Sequence, residues 1–460
     1  MSASAESVAA AAQRLRSHGT ALRQRPAEEV LDALCRVLDA WCHFEPDLES
    51  ASNSGSTSDS KPDLKRVAKS SSSAAVERGD LQAELAAEVG FSHACIAEGL
   101  SRGLAHWNGK ALREVVSREL SGSPQAKSIG GFELTGVILA GAIPMPTLLA
   151  ILLPLVLRSP VLVKTSSRDP VTARHVAKSI ARIDSQLGDC VEVLDFPGRD
   201  DACADAFLAA DCVVAAGSDA TLQRIAERVR PPQRLVSYGH RLSVAVLGPC
   251  IRSDSELADL AQRIALDTAL WDQQGCLSPA AVYTVGSAEF ARDAAAAIAA
   301  ALERAEERWP RGRIDASDAA AIRNERAEAE MRRAATAESG DGAIELHASA
   351  GTEWTVVLEP GSRWRPTPLQ RFLRVYPLSG TRGAASLDAL EAALRPVAMH
   401  LAAVALEGFG DDTPVVSRRL AELGASRVCR AGELQAPPLG WHHDGQPLLL
   451  PLARITDIET

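Results

Sequence analysis

GVILAG (136–141), TLLAILLPLVL (147–157) and PVLVK (160–164) decide how this chain folds. GVILAG and PVLVK are apolar at successive positions, without the in–out alternation of a strand that has one wet face, so both faces of these strands need cover. The pattern continues downstream. PVTARHVAKSIARI (170–183), DACADAFLAA (201–210) and DATLQRIAERV (219–229) have helical periodicity, and CVEVLDFPG (190–198) and DCVVAAGS (211–218) are strand-like. Short Val-rich strands alternating with helices predict a parallel, doubly wound α/β sheet of the nucleotide-binding type.

The run VILAGAIPMPTLLAILLPLVL (137–157) has the length of a membrane span. It also carries Pro144, Pro146 and Pro154, with Gly136 and Gly141 at its start. Each proline inside a helix costs about 3 kcal/mol, and no basic flank marks a topology signal. A buried strand, a turn and a buried helix account for the run, so no membrane span is expected.

Outward from this centre, Ser7 to Trp41 and Leu81 to Leu120 read as helical. Between them lies a Ser-rich, apolar-poor insert (about 49–80), which cannot bury enough surface to order itself. Beyond Leu247 a helix is expected around Ser255 to Thr268, then a polar loop WDQQGCLSP (271–279) and a strand AAVYTV (280–285). An Ala/Glu/Arg-rich helical region follows, with strands near Ala343 to Leu358 and Phe372 to Tyr376. A helix from about Leu387 to Leu401 precedes a tail containing GWHHDGQPLLLPL (440–452). The chain therefore divides into a helical N-terminal region (1–125), a doubly wound nucleotide-binding domain (126–248), a second α/β unit (249–425) and a C-terminal segment (426–460).

Composition narrows the function. With 460 residues, 46% hydrophobic and 23% charged, the chain is globular and multidomain. A net charge of -10 and 4% aromatic residues argue against a nucleic-acid partner. The nine cysteines include no CxxC pair, which suits reduced thiols rather than disulfides or a metal centre. MSASAESVAA has neither the basic nor the apolar region of a signal peptide, and a cytoplasmic location is expected.

Four places can carry chemistry. Cys276 follows Gly275 in a loop with Asp272, Gln273, Gln274 and Ser278. A nucleophilic thiolate needs such partial exposure, polar neighbours and backbone amides able to hold an oxyanion. Gly217-Ser218 ends a strand and opens a helix, where amides suit a pyrophosphate, although a plain helix cap fits equally. No GxGxxG fingerprint occurs. Lys164, Ser166, Ser167 and Arg168 stand at the C-terminal end of a parallel strand, where ligands bind, and can accept a ribose and a 2'-phosphate. His442, His443 and Asp444 lack a third partner at ligand spacing and read as a structural turn.

Taken in order, VLVKTSSRDP, VVAAGSDAT, SYGHRLSVAV, WDQQGCLSP and HDGQPLLLPL resemble the aldehyde dehydrogenase superfamily. More closely, they resemble the acyl-CoA reductase family that contains the fatty-acid reductase subunit of bacterial bioluminescence, in which DQxxCxSP is a characteristic signature. The likeness runs from about residue 130 to the end. It implies Cys276 as an acyl-accepting nucleophile, Lys164 and Ser166 at the adenosine ribose, and Gly217 and Ser218 at the pyrophosphate. Ser167 and Arg168 stand where NAD-preferring relatives keep a ribose-binding Glu, which implies NADPH. It further implies reduction of a fatty acyl-CoA or acyl-carrier thioester to the aldehyde, a possible acyl-activating partner protein and a homo-oligomer, with 126–248 as the cofactor-binding domain, 249–425 as the catalytic domain and 426–460 returning to the cofactor domain or to an oligomer interface. Two departures matter. Ser237-Tyr238-Gly239-His240 lacks the Glu base of the hydrolytic relatives. Gly141-Ala142 lacks the Asn that donates to the oxyanion, which keeps open an acyl-relay protein that forms the thioester without reducing it.

Overall fold

A computed structural model describes residues 3–42, 80–120, 126–339, 344–379 and 384–458. Apart from Asp80, the Ser-rich insert lies outside the described residues.

The strands β1 (Ala126–Gly130), β2 (Thr135–Ile138), β3 (Val161–Lys164), β4 (Val191–Leu194), β5 (Cys212–Ala216) and β6 (Arg234–Tyr238) come first. The last five form a parallel sheet in the order β4-β3-β2-β5-β6. Period-two alternation sends successive residues to opposite faces. Val161, Val163 and Val214 pack under the helices Ala27–Cys42, Pro144–Val156 and Thr172–Ile183, whereas Leu162, Val213 and Ala215 meet Ala5–Gln24 and Asp201–Phe207. Both faces are covered, as the unbroken apolar strands required. The chain leaves β2 toward β3 and β4, then returns on the other side to β5 and β6. This reversal opens a crevice at the C-terminal strand ends.

The apolar run 137–157 resolves into the end of β2, a turn and the helix Pro144–Val156. Pro144 and Pro146 occupy the first helical turn, whose N–H groups have no intrahelical acceptor, and Pro154 sits near the end. Among the described residues, no helix is long and apolar enough to cross a membrane.

The remaining strands are β7 (Leu242–Leu247), β8 (Pro279–Gly286), β9 (Glu345–Ala348), β10 (Thr355–Leu358), β11 (Phe372–Ser379), β12 (Leu401–Glu407), β13 (Arg427–Cys429) and β14 (Arg454–Asp457). Seven of them form a second sheet, β13-β12-β7-β8-β11-β10-β9, parallel except for β9. β7 is internal to this sheet, so the chain changes sheets between Tyr238 and Leu242, not after residue 248. The helix expected to reach Leu401 spans Ala384–Leu394; a turn containing Pro396 follows, and Leu401 opens β12. After β13 the tail crosses back over the first sheet, and β14 pairs antiparallel with β1, Ile455 opposite Ile129.

Candidate active site

The helix Asp254–Ala269, opened by a Ser253/Glu256 capping box, delivers the chain to the Cys276 loop. Three residues then take left-handed conformations: Trp271 (φ 56°), Asp272 (φ 49°) and Gln273 (φ 60°). None is glycine, so the neighbours must hold them there. Asp272 Oδ1 accepts from Arg371 Nε (3.0 Å) and Nη2 (2.6 Å), and its Oδ2 accepts from Gly312 N (3.1 Å). Gln273 donates to the carbonyls of Pro279 (2.8 Å) and Phe372 (3.1 Å) and accepts from Phe372 N (2.8 Å). Both side chains are buried. They are braces of the loop, not the polar lining expected of them. Burial raises the Asp272 carboxyl from its ordinary value, against the opposing charge of Arg371.

Past the braces, Gly275 approaches the β2–helix turn so closely that a Cβ would lie 2.6 Å from Ile143 Cδ1. The Cys276 carbonyl accepts from Ser243 Oγ of β7 (2.7 Å), and Ser278 Oγ accepts from Gln435 (2.9 Å). The nucleophile candidate is thus fixed from β7, β11 and the tail together.

Cys276 itself is half-buried. Burial pushes its thiol up to about 11 and the Asp444 carboxylate adds to this; hydrogen bonds from the Cys276 and Leu277 amides and the charge of Arg241 oppose it. Cys35 and Cys190 are pushed up as far, and Cys95, Cys212 and Cys429 to about 12. Acidity does not single out Cys276. Nor do neighbouring amides, since Trp271 and Asp272 offer two to Cys95; the position of Cys276 does.

That position is the wall of a largely apolar cavity of about 140 Å³. The helix Pro144–Val156 contributes Met145, Leu149, Ala150 and Leu153, and the tail contributes Trp441, His443, Leu448 and Leu452. The tail is strapped in place. Trp107 Nε1 donates to Pro437 O (2.8 Å), Arg118 to Gly440 O (2.9 Å), and Glu119 accepts from the amides of Leu448 (3.1 Å), Leu449 (2.7 Å) and Leu450 (3.3 Å).

The His442-His443-Asp444 stretch is a turn, with Asp444 at φ 54°. It is more than that. His442 is exposed, whereas His443 lines the cavity alongside Cys276. The His443 ring stacks on Tyr238 (centroids 4.9 Å apart, planes 12° apart) and tilts against Trp441 (5.1 Å). Burial lowers His443 from its ordinary value, with Asp444 opposing and Arg241 reinforcing. The Asp444 carboxylate is almost wholly buried, 3.1 Å from Arg241 Nε. The sequence singles out His443 only as part of a turn, because its partners, Tyr238 and Arg241, lie some 200 positions upstream by number; two His beside an Asp in a tail rich in Trp and Leu were the available signal.

The expected cofactor residues gather at the C-terminal ends of β3 and β5. Lys164 is half-buried, its ammonium 5.2 Å above the Phe196 ring; burial lowers it and Asp195 raises it. Ser167 and Arg168 are exposed, and Arg168 bonds Gln274. Ser166 is buried, and its hydroxyl donates to Gly141 O (2.7 Å) and accepts from Arg168 N (3.1 Å). It braces the loop against the β2 turn. Gly217 N donates to Tyr238 O (3.2 Å), and Ser218 caps the helix Asp219–Ala226 by accepting from Thr221 N (3.3 Å). Ala142 is buried and offers no side-chain donor.

The chain is similar in fold to aldehyde dehydrogenases of known structure. Aldehyde dehydrogenase 21 of Physcomitrella patens superposes with a TM-score of 0.67 at 13% identity, covering 99% of this chain and 90% of that one. The putative aldehyde dehydrogenase PutA of Anabaena variabilis gives 0.64 at 15%, covering 100% and 95%. Among curated proteins, long-chain acyl-protein thioester reductase 2 of Photobacterium leiognathi is 21% identical over 325 residues, 70% of this chain and 62% of that protein. The long-chain acyl-protein thioester reductase of Aliivibrio fischeri is 26% identical over 153 residues, 32% of this chain. The matched stretches thus cover 31% and 62% of these relatives' own lengths. The family model described as acyl-CoA reductase (LuxC) matches residues 23–455, and the chain belongs to that acyl-CoA reductase family.

Proposed function

We propose that this protein reduces a fatty acyl thioester, carried by coenzyme A or by an acyl-carrier protein, to the aldehyde through a Cys276 acyl-enzyme. The observation that carries this reading is the seat of Cys276: a thiol with two of its own loop amides beside it, in the wall of an apolar cavity. The amides are suited to an acyl oxyanion and the cavity to a hydrocarbon chain. With Ala142 in place of a side-chain donor, the amides of Cys276 and Leu277 carry the oxyanion.

The strand-end crevice fits a nicotinamide dinucleotide by topology. Its groups at the end of β3 are a half-buried cation, an exposed hydroxyl and an exposed guanidinium, with Asp195 already engaged by Thr165 (3.2 Å). That set supports a phosphorylated ribose and hence NADPH, with Lys164, Ser167 and Arg168 as its holders and Gly217-Ser218 beneath the pyrophosphate. When bound, the reduced cofactor supplies hydride to the acyl carbonyl. Cys276 holds that carbonyl as a thioester, the Cys276 and Leu277 amides stabilise its oxygen, and the tail excludes water. The absence of a carboxylate from Ser237 to His240 disfavours hydrolysis of the thioester. A cytoplasmic location, a homo-oligomer and an acyl-activating partner belong to the same reading.

The test is intact-protein mass after incubation with a long-chain acyl-CoA, for wild type and Cys276→Ala, with and without NADPH. Expected are a wild-type adduct that NADPH discharges as aldehyde and no adduct in the variant. An adduct indifferent to NADPH identifies an acyl-relay protein instead; an unchanged adduct in the variant removes Cys276 from the chemistry.

A further inference from the structure

Among the described residues that line the cavity, three side chains titrate: Tyr238, Cys276 and His443. A nucleophilic thiol held protonated by burial needs a base within its own cavity. Tyr238, itself pushed up to about 12, is no base at neutral pH. The link from β6 to β7, where hydrolytic relatives of this fold keep a carboxylate, offers none. Asp444 does not line the cavity, and its carboxylate is already paired with Arg241.

We propose that His443 is the proton acceptor for the Cys276 thiol and the donor to the departing group, with Asp444 and Arg241 as positioning residues. The proposal rests on the reading of Cys276 as the nucleophile. The geometry suits the role. Tyr238 and Trp441 fix the imidazole plane from two sides. Asp444 Oδ1 lies 3.8 Å from His443 Nε2, too far for a hydrogen bond but near enough to stabilise an imidazolium. Burial disfavours the imidazolium, and Arg241, on the other carboxylate oxygen, tempers the stabilisation that Asp444 offers. A neutral imidazole beside a waiting carboxylate accepts a proton when the sulfur attacks and holds it for one step.

The balance is as follows. As the sulfur–acyl bond forms, the thiol proton passes to His443; as the donor's carbon–sulfur bond breaks, His443 returns it to the leaving thiolate. After hydride from a reduced nicotinamide has added to the acyl carbon, the carbon–sulfur bond to Cys276 breaks, aldehyde leaves, and a solvent proton reaches the thiolate through His443. The titratable and charged groups around the imidazole are Tyr238 from β6, Arg241 from the β6–β7 link and Asp444 from the same turn, with Cys276 in the wall of the same cavity and Glu119 behind the tail.

The experiment is quenched-flow acylation by a long-chain acyl-CoA across pH, read by intact mass, for wild type, His443→Gln, His443→Gly and Cys276→Ala. NADPH binding is followed by fluorescence in each. Expected is a wild-type rate that levels off near or below neutrality. His443→Gln is expected to be slower by roughly 10²-fold at neutral pH, its rate climbing with pH toward the thiol's own range, and free imidazole to restore His443→Gly. A His443→Gln rate within threefold of wild type with an unshifted profile overturns the assignment. So does a variant that loses NADPH binding and acylation together and that imidazole does not restore, which marks a packing role. Persistent acylation of Cys276→Ala removes the nucleophile reading itself, whatever the His443 variants do.

Discussion

Asp272 and Arg371, 99 positions apart in sequence, close a buried ion pair at 2.6 Å that joins two left-handed runs, Trp271-Asp272-Gln273 and Leu369-Gln370-Arg371. A non-glycine residue in this conformation costs about 1 kcal/mol or more. The pair offsets that cost where it is highest. Its remaining polar atoms are also satisfied: Gly312 N caps the other Asp272 oxygen and Glu306 takes Arg371 Nη1 at 2.6 Å. This explains why an Asp-Gln dipeptide stands before Gly275-Cys276: the two side chains aim the loop that carries the thiol.

Removing one partner leaves the other buried and unpaired, which costs about 3–5 kcal/mol, whereas replacing both is milder. Arg371→Met is therefore expected to lose stability on that scale and to slow Cys276 acylation. Asp272→Asn combined with Arg371→Met should recover part of the stability. Denaturant unfolding of the two variants beside wild type checks this; an Arg371→Met variant as stable as wild type removes the strut.

The five-stranded sheet was legible because burial on both faces leaves a local trace, unbroken Val-rich runs punctuated by helices. The Cys276 loop was legible for a similar reason, since its signature is contiguous. What was not legible depends on distant partners. β12 continues an Ala-rich helical pattern, and only pairing with β7 makes LAAVALE a strand; Pro396 was the local sign that the helix had ended. β7 reads as the end of one sheet but pairs in the other. His443 looked like part of a turn, and its meeting with Tyr238 requires the tail to cross the first sheet, which no local periodicity encodes.

Under the proposed function, the apolar cavity is the part of the site that selects acyl-chain length. Each buried methylene contributes about 0.8 kcal/mol, so KM for saturated acyl donors is expected to fall with length until the cavity is filled. Ala150 lines it from the helix Pro144–Val156. Ala150→Phe is expected to cut kcat/KM for a tetradecanoyl donor at least tenfold while sparing a butyryl donor. Equal loss for both donors places the acyl chain elsewhere.

Asp267 makes stability depend on pH. The carboxyl is buried under the Gly432 amide (2.6 Å), and burial pushes it up to about 7. The folded state thus binds its proton more tightly than the unfolded chain does. The stabilisation is complete below the ordinary carboxyl value near 4 and is lost as pH rises through about 7, a swing on the order of a few kcal/mol. Asp267→Asn keeps an acceptor for Gly432 N but cannot ionise. Wild type is expected to lose more stability than this variant between mildly acidic and mildly alkaline pH; parallel profiles contradict the assignment.

Arg168 links the proposed cofactor crevice to the loop of Cys276, because its guanidinium bonds Gln274, two residues before Cys276. An anion arriving at the end of β3 competes with Gln274 for that guanidinium, and a 2'-phosphate competes far better than a ribose hydroxyl. Two effects follow from one contact. Arg168→Ala is expected to raise KM for NADPH about tenfold and leave KM for NADH unchanged, while Ser167→Glu on that background should favour NADH by supplying a ribose acceptor. Gln274→Ala, which frees the guanidinium in advance, should lower KM for NADPH without altering KM for NADH. Steady-state kinetics with both cofactors separates these outcomes; a wild-type enzyme that prefers NADH, or an Arg168→Ala enzyme with unchanged NADPH kinetics, would mean that Arg168 serves the loop alone and that the phosphate, if bound, is read by Lys164.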